Sequence, residues 1–199
     1  MRRKVLSLLI GLLILSNSNI VLAISIGFNP VSSTVNLSTT TDVALTISDL
    51  GNSVAPSLGT FDLDIIFDPT ILSFTSVSYG DPLLGDQLDL FGLGSLTTTT
   101  SGVGSVNLFE LSFDFPADLD TLQPASFTLA TLSFDTIGVG TSPLGLTVNA
   151  LGDAFGDPLV ANLESGSVNV VPEPGTVLLL SSGLAGFAFV RKKLKNIYN

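Results

Sequence analysis

Hydrophobic and polar residues alternate with a period of two along most of the chain between residues 24 and 171. In the segment 42–48, for example, Val43, Leu45 and Ile47 share one face, and the other face is mostly polar. This alternation is typical of strands that bury one face, whereas helical spacing of the apolar residues is weak. The predicted strands are 24–28, 34–37, 42–48, 61–67, 71–79, 103–113, 126–134, 144–148 and 166–171, and the first two are expected to be short edge strands.

Clusters of Gly, Pro, Asn and Asp separate these segments, for instance at 51–52, 68–69, 80–82 and 152–153. These residue types favour turns, because they adopt or impose the backbone angles that turns require. About nine short strands at this spacing predict an all-β fold, a β-sandwich or jelly roll. The chain has 13 Phe residues, which we expect mostly at inward positions in the core.

The first 23 residues have the pattern of a secretory signal peptide. A basic start at residues 2–4 precedes an apolar run at 5–15, and Val21 and Ala23 place small side chains at the −3 and −1 positions. We therefore expect cleavage after Ala23. The alternatives are a buried core helix or an uncleaved anchor, but the run is too short to cross about 30 Å of hydrocarbon.

A second apolar run covers residues 176–190 and predicts a transmembrane helix. Gly183 and Gly186 interrupt it, which membrane helices tolerate better than soluble ones. Arg191, Lys192 and Lys193 follow at once and are expected to stay cytoplasmic, because basic residues beside a span are retained there. This orientation places residues 24–171 outside the inner membrane, in agreement with a signal peptide.

Charge is distributed very unevenly along the chain. It has 17 acidic and 7 basic residues, no His and no Cys, and no Lys or Arg lies between Val5 and Val190. The central segment is therefore purely anionic and would be repelled by nucleic-acid phosphates, which excludes nucleic-acid binding. The missing residue types also exclude imidazole bases, Cys nucleophiles and thiolate metal sites.

The residues Val171, Pro172, Glu173, Pro174 and Gly175 stand directly before the apolar run. Together with that run and the basic tail, this Pro-Glu-Pro box resembles the PEP-CTERM sorting signal of Gram-negative bacteria, over residues 172–195. The resemblance implies recognition by an exosortase, a membrane-embedded cysteine transpeptidase, with cleavage near the box. The two prolines favour an extended backbone, which a protease site can accept. The alternative is a simple tail anchor with a Pro-rich hinge.

Several segments between the two ends resemble the cohesin-like domains. They are 59–74, with its Asp-Pro-x-x-Leu turn between two strands, then 77–81, 129–134 and 140–146, and the closing strand that contains Asn169. The resemblance covers residues 24–171, although residues 82–102 fit it poorly. It implies a nine-stranded jelly roll, similar to carbohydrate-binding modules.

Two features of the segment 61–69 have structural interpretations. Pro69 cannot donate to a ladder and is expected to end the strand, while Asp68 accepts backbone N–H groups across the turn. Asp62 and Asp64 share one strand face, with Cβ atoms about 7 Å apart. A glycosidase needs two carboxylates facing each other across a substrate, so this pair is expected to lie on the solvated face.

Eight of the other acidic residues gather in three predicted loops. Ca²⁺ prefers oxygen ligands and is plentiful outside cells, so these loops are candidate calcium sites. None has the spacing of a calcium loop with a closing bidentate Glu, and the alternative is a solvated, self-repelling surface. The candidate ligands are Asp81, Asp86 and Asp89 in one loop and Asp153 and Asp157 in another, while Asp114, Asp118 and Asp120 crowd a third.

Carbohydrate binding normally uses exposed aromatic rings, and this chain offers few. It has no Trp and two Tyr, of which Tyr198 lies in the predicted cytoplasmic tail. A sugar site would therefore depend on Tyr79 or an outward Phe such as Phe91, and the carbohydrate-binding residues stay unknown. The hydroxyl-rich run 96–102 is a flexible loop or an edge strand, and is a candidate for glycan attachment.

These observations favour a non-enzymatic protein that is exported across the inner membrane of a Gram-negative bacterium and held as a membrane-anchored precursor. After exosortase processing it would lie at the cell surface or in the extracellular matrix, associated with biofilm or exopolysaccharide. The expected partners are the secretion machinery, the exosortase, and an exopolysaccharide or surface protein. The rival interpretation is a secreted polysaccharide hydrolase with paired carboxylates. A cleft with two opposed carboxylates favours the hydrolase, and a flat sheet face favours binding.

Overall fold

The computed structural model describes residues 23–173 and residue 175, in which two β-sheets pack face to face. The predicted all-β sandwich is confirmed. The predicted signal peptide before residue 23, Pro174, the predicted helix 176–190 and the basic tail lie outside the described residues. The elements are β1 (Ile24–Asn29), β2 (Ser32–Asn36), β3 (Thr40–Ser48), β4 (Leu58–Ile66), β5 (Leu72–Tyr79), β6 (Ser95–Gly102), β7 (Ser105–Ser112), α1 (Pro116–Leu122), β8 (Phe127–Thr136), β9 (Gly140–Asp153), β10 (Ala161–Leu163) and β11 (Gly166–Val171).

One sheet has five strands in the order β10-β1-β3-β8-β5, and the other has six in the order β2-β11-β9-β4-β7-β6. Neighbouring strands are antiparallel except for β1 with β10 and β2 with β11. The first described strand, β1, lies in the five-stranded sheet, and the chain then passes to the six-stranded sheet at Pro30 and Val31, between β1 and β2. β1 pairs with β10 in one sheet, and β2 pairs with β11 in the other. In each sheet, a strand from the start of the described chain therefore lies beside a strand from its end.

The predicted alternation matches the burial along β4. Phe61, Leu63 and Ile65 are fully buried between the sheets, while Asp62 and Asp64 point outward. Leu72 is also fully buried, and the ring of Phe67 meets the ring of Phe134 edge to face at 5.1 Å. The core is formed by the inward faces of both sheets within residues 24–171.

The turn at Asp68 has the predicted form. Its Oδ1 accepts the backbone N–H of Thr70 at 2.9 Å and the hydroxyl of Thr70 at 2.6 Å. These hydrogen bonds, the hydroxyl one first, lower the pKa of Asp68 below its ordinary value. Asp68 therefore acts in the turn that leads from β4 to β5.

The structure differs from the predicted strands in several places. β1 is not an edge strand, because it lies between β10 and β3, although β2 does form an edge. The run 96–102 belongs to edge strand β6, and β9 is far longer than the predicted 144–148. The segment 103–113 begins with a turn at Gly104, where φ is +72°. The short strand β10 and the helix α1, which starts at Pro116, were not predicted.

Six of the eleven Phe residues that the structure describes lie inward, so the expectation that Phe residues lie mostly inward is met by a narrow majority. Edge strands and loops leave several rings in solvent, because alternation orients a side chain only where a second layer covers the strand. The buried rings are Phe28, Phe61, Phe67 and Phe134, and the half-buried rings of Phe74 and Phe127 also pack against the core. The exposed rings are Phe91, Phe113, Phe115 and Phe155. Within the described residues, no helix has the length and apolar character needed to cross a membrane.

Candidate functional site

The outer face of the six-stranded sheet carries a compact polar cluster at its centre. Asp62 and Asp64 on β4 both accept hydrogen bonds from the amide of Asn107 on β7, at 2.6 and 2.9 Å. The amide of Asn149 on β9 donates to the same two carboxylates, at 3.2 and 3.0 Å. The two Asn amides therefore hold both carboxylates in one fixed row across three strands.

A β-bulge places Asn149 in this row. The register between β4 and β9 shifts at this point, so that Asp62 pairs with Ala150 while Leu63 pairs with Val148. An extra residue in a bulge is unpaired and its side chain is re-aimed. Asn149 is that extra residue, and the bulge turns its side chain outward beside the two Asp residues.

Exposed apolar side chains flank the polar cluster. Leu96 on β6 pairs with Leu111 on β7, and the two are 49% and 37% exposed. Phe109 lies two residues from Leu111 along β7, opposite Asp62, and Ile66 is exposed at the end of β4. We call this surface, made of Asp62, Asp64, Ile66, Leu96, Asn107, Phe109, Leu111 and Asn149, the outer face.

The opposite side of the sandwich has a different chemistry. On the five-stranded sheet, Ser133 donates to Asp42 at 2.6 Å, and Thr40 donates to Asp135 at 2.7 Å. Among the described residues, no large exposed apolar side chain lies on β1, β3, β5 or β8, and Leu163 on the short edge strand β10 is 42% exposed. Apolar area within a polar surround is typical of protein-binding surfaces, so the two sheets differ in what they can bind.

The paired carboxylates do not form a cleft. Asp62 and Asp64 point to the same side of one strand and share the same Asn partners. A pocket of about 350 Å³ lies elsewhere, between β3, β8 and the segment after β5, and Asp81 is the one acidic residue in its lining. The opposed carboxylates of a glycosidase are therefore not seen at either place, and the flat outer face matches the binding interpretation.

The candidate calcium residues act within their own loops. Asp81 Oδ1 accepts the N–H groups of Leu83 and Leu84 at 2.8 and 2.9 Å, which lowers its pKa. Asp153 Oδ1 likewise accepts the N–H groups of Phe155 and Asp157, both at 2.9 Å. In the part of the chain that the structure describes, no three acidic side chains come close enough together to hold a metal ion.

We expect sodium and calcium ions to stabilise residues 24–171 equally at matched ionic strength. This segment contains every acidic residue except Glu173 and no basic residue, so salt screens a mutual repulsion over about 10 Å at 0.1 M. Thermal unfolding in NaCl, with millimolar CaCl₂ and then with a chelator, measures the difference. A rise of many degrees that depends on calcium and is reversed by the chelator would contradict this prediction, because a specific site stabilises by mass action.

Tyr79 is used inside the fold. Its hydroxyl donates to the carbonyl of Thr98 at 2.7 Å, across the open edge between β5 and β6, and lies 3.0 Å from the hydroxyl of Thr99. Its ring lies 6.3 Å from that of Phe61, and burial raises its pKa. Tyr79 therefore offers no free ring to a sugar, whereas Phe91 is exposed.

The predicted sorting residues follow the last strand directly. Val171 is the final residue of β11, and its carbonyl accepts the N–H of Leu37 at 2.8 Å. Pro172, Glu173 and Gly175 are exposed, and so is Ala23, which precedes β1 at the other end. The box thus begins at the point where the sheet ends.

The sequence pattern correctly predicted that Asp62 and Asp64 lie on a solvated strand face, but it did not predict most of the other residues of the outer face. Asn107, Phe109 and Leu111 could have been found from the alternation along β7. Leu96 belongs to the run 96–102, which the sequence left as either a loop or an edge strand. The outward position of Asn149 depends on a bulge, which alternation does not indicate. The acidic Glu110, which faces inward on β7, was also not singled out.

Comparisons with known proteins find matches for both the sorting signal and the sandwich. Residues 170–192 match the PEP-CTERM protein-sorting motif. No curated protein matches the chain. The sandwich is similar to a non-cellulosomal cohesin from Archaeoglobus fulgidus, with a TM-score of 0.55 and 14% identity, over 75% of this chain and 92% of that one.

Two further solved structures have the same fold. A chain of a type I cohesin–dockerin complex from Clostridium thermocellum matches with a TM-score of 0.59 and 12% identity, over 75% of this chain and all of that one. The solution structure of a cohesin from Clostridium acetobutylicum matches with a TM-score of 0.55 and 18% identity, over 74% of this chain and 89% of that one.

The fold is therefore that of a cohesin domain, and the chain carries a PEP-CTERM sorting signal. Such a signal marks an exported protein that an exosortase processes for the cell surface of a Gram-negative bacterium. The matched structures consist almost entirely of this sandwich. The sandwich thus forms a self-contained folding unit in those chains, and in this chain its core lies within residues 24–171.

Proposed function

We propose that this chain is a non-catalytic protein-binding module of the cell surface, and that its outer face docks a partner protein. The observation that carries the proposal is the outer face itself, where Leu96 and Leu111 flank a row of fixed polar groups. Similar folds include a chain solved in a cohesin–dockerin complex, so a protein is the better-supported class of ligand. A polysaccharide ligand has less support, because Tyr79 is engaged within the fold.

The partner surface is proposed to be basic at its centre, with apolar side chains beside the basic groups. Asp62 and Asp64 place two carboxylates on the outer face, and the segment between Val5 and Val190 contains no Lys or Arg to neutralise them. Complementary charge on the partner would steer its approach, and the apolar residues would supply the desolvated contact. Both carboxylates already accept hydrogen bonds from the side-chain amides of Asn107 and Asn149. Incoming Arg or Lys side chains of the partner would therefore meet carboxylates that are held in a fixed geometry.

The proposal also includes the maturation of the chain. The signal peptide 1–23 would be removed after Ala23, and the precursor would be held by the helix 176–190 until processing near the box at 171–175. The sandwich, residues 24–171, would then lie at the cell surface or in the extracellular matrix. Exposure of Pro172 and Glu173 directly after β11 supports access by a processing enzyme.

Leu111→Asp on the outer face is expected to weaken binding of the native partner at least about tenfold, because it puts a charge in the apolar contact. The matched control is Thr131→Asp on β8, which adds the same charge to the opposite side. A photo-reactive residue at position 98, beside Phe109, would capture the partner on intact cells. Binding that is lost in the control and retained in Leu111→Asp would assign docking to the other sheet and contradict the proposal.

A further inference from the structure

The last strand leaves the sandwich at one end, which we call the exit end. Val171 is the final residue of β11, and Val170 pairs with Gly140 at the start of β9. The turn 137–139, between β8 and β9, therefore lies beside the point where the chain leaves. The segment after β2 lies there as well, because Leu37 donates its N–H to the carbonyl of Val171 at 2.8 Å.

The loops of the exit end contact one another. Ile137 donates its N–H to the carbonyl of Ile71 at 2.9 Å, which joins its turn to the connection between β4 and β5. Phe67 in that connection donates its N–H to the carbonyl of Gly104, in the turn between β6 and β7, at 3.0 Å. Val103 of the same turn lines a hollow of about 190 Å³ together with Ile137. The three loops therefore form one continuous end surface.

The tips of these loops are aliphatic. Val103 is 94% exposed, and Ile137 and Val139 are 55% and 54% exposed. Turns in water favour Gly, Pro, Asn, Asp and Ser, whereas branched aliphatic side chains project from two turns of this end. Apolar side chains that are gathered on an exposed surface mark contact with a protein or a membrane.

The two ends of the sandwich differ in charge. The exit end has Asp68 in its turn before β5 and Asp135 near the end of β8, with Asp42 two residues farther into the sheet. At the opposite end, exposed apolar side chains such as Leu83 and Phe155 follow directly after acids whose carboxylates accept their N–H groups. An anionic lipid surface repels acidic residues, so the exit end is the one suited to a bilayer. The loops, strand ends and helix of the opposite end carry nine acids, namely Asp49, Asp81, Asp86, Asp89, Asp114, Asp118, Asp120, Asp153 and Asp157.

The length of the link after β11 limits how far the sandwich can stand from the membrane. The residues 172–175 separate β11 from the predicted helix 176–190, and a fully extended link of this length spans at most about 14 Å. The headgroup layer on each side of the hydrocarbon is about 5–8 Å thick. A sandwich on so short a link has its exit end at the headgroups.

We propose that the exit end is a membrane-contacting surface, and that Val103, Ile137 and Val139 insert into the headgroup layer of the bilayer that holds the precursor. The inference rests on the proposed maturation, because the helix 176–190 is the tether. Apolar side chains at this depth are stabilised by burial in the interface, and the tether keeps their effective concentration at the surface high. The contact stands the sandwich on its end, holds the box 171–175 at the membrane surface and leaves the outer face free for a partner.

The direct test attaches one fluorescent dye to the precursor, residues 24–199, which has no Cys of its own. Val103→Cys and Val139→Cys place the dye at the exit end. Leu83→Cys is the matched control, because Leu83 is 93% exposed at the opposite end. The precursor is reconstituted in vesicles of phosphatidylethanolamine and phosphatidylglycerol, with and without brominated acyl chains. We expect brominated lipid to quench at least about half of the emission at positions 103 and 139, because they lie within about 10 Å of the acyl boundary, and little of it at 83.

A paired substitution tests whether the aliphatic tips hold the exit end at the bilayer. With the dye at position 103, Ile137→Ser combined with Val139→Ser should reduce the quenching at least about twofold, because apolar area is lost from the interface. The matched control is Leu83→Ser combined with Leu84→Ser, which should leave the quenching unchanged. All four residues are exposed, so the fold is retained in both variants. Unchanged quenching in the exit-end variant would overturn the role of these side chains.

Flotation of the vesicles separates failure of this inference from failure of the proposed maturation. A precursor that floats with the vesicles, but whose dye at position 103 behaves like the dye at 83, overturns the membrane contact and leaves the tether standing. A precursor that does not float overturns both. A dye at 103 that is shielded from water but not quenched by brominated lipid would show that a second copy covers the exit end, and would overturn the assignment to the bilayer.

Discussion

Replacing Leu72 by alanine is expected to lower the free energy of unfolding of the sandwich by about 2–5 kcal/mol, and Phe67→Ala by a similar amount. Leu72 is fully buried at the start of β5, and Phe67 contacts Phe134 edge to face. Each substitution loses the transfer free energy of the removed atoms and leaves a cavity between two close-packed sheets. Urea unfolding of residues 24–171 measures the change.

Leu83→Ala is the matched control for the core substitutions. Leu83 is 93% exposed, so the same chemical change should alter stability by less than about 0.5 kcal/mol. A loss below about 0.5 kcal/mol for both Leu72→Ala and Phe67→Ala would mean that the cavity mechanism does not operate at these sites. The inward register of β4 and β5 would then be wrong.

Deleting Arg191, Lys192 and Lys193 is expected to abolish maturation and to leave unprocessed precursor in the membrane. The basic tail would retain the cytoplasmic end of the predicted helix 176–190 and so hold the box at the outer surface. Glu173→Gln should have the same result through the box itself, because it changes the residue between the two prolines. Membrane fractionation and mass spectrometry of the mature termini measure both effects.

Two controls belong to the sorting experiment. Deleting residues 197–199 shortens the tail while retaining its basic cluster, and Glu164→Gln makes the same chemical change before the box. Both should mature at the wild-type rate. If the box and tail variants also mature at that rate and reach the surface, the match at residues 170–192 does not direct sorting in this chain.

Alternation predicted most of the strands because a strand between two layers has one buried and one solvated side. This explains why β3, β4, β5 and β8 were found close to their observed limits. The same rule fails at an edge. β6 is exposed along nearly its whole length, so a run of Thr could equally form a loop.

The residues of the candidate site were also predictable only where their position depends on near neighbours in the sequence. Asp62 and Asp64 were placed on the solvated face correctly, because their neighbours on β4 are apolar. Their partners Asn107 and Asn149 come from strands more than 40 residues away, and Asn149 reaches them through a bulge. Likewise, Glu110 was not singled out from the sequence, whereas the structure buries it fully and has its Oε1 accept the hydroxyl of Ser95 from the neighbouring strand.

The sequence by itself determined the features that depend on neighbouring residues in the chain: the alternating strands, the turn at Asp68, the Pro-Glu-Pro box and the absence of Lys and Arg between residues 5 and 190. Only the tertiary structure decided which strands are neighbours, and therefore which side chains meet. Strand pairing is long-range, and a single bulge or register shift changes what a side chain contacts. For that reason the row of Asp and Asn on the outer face and the full burial of Glu110 became visible only in the folded chain.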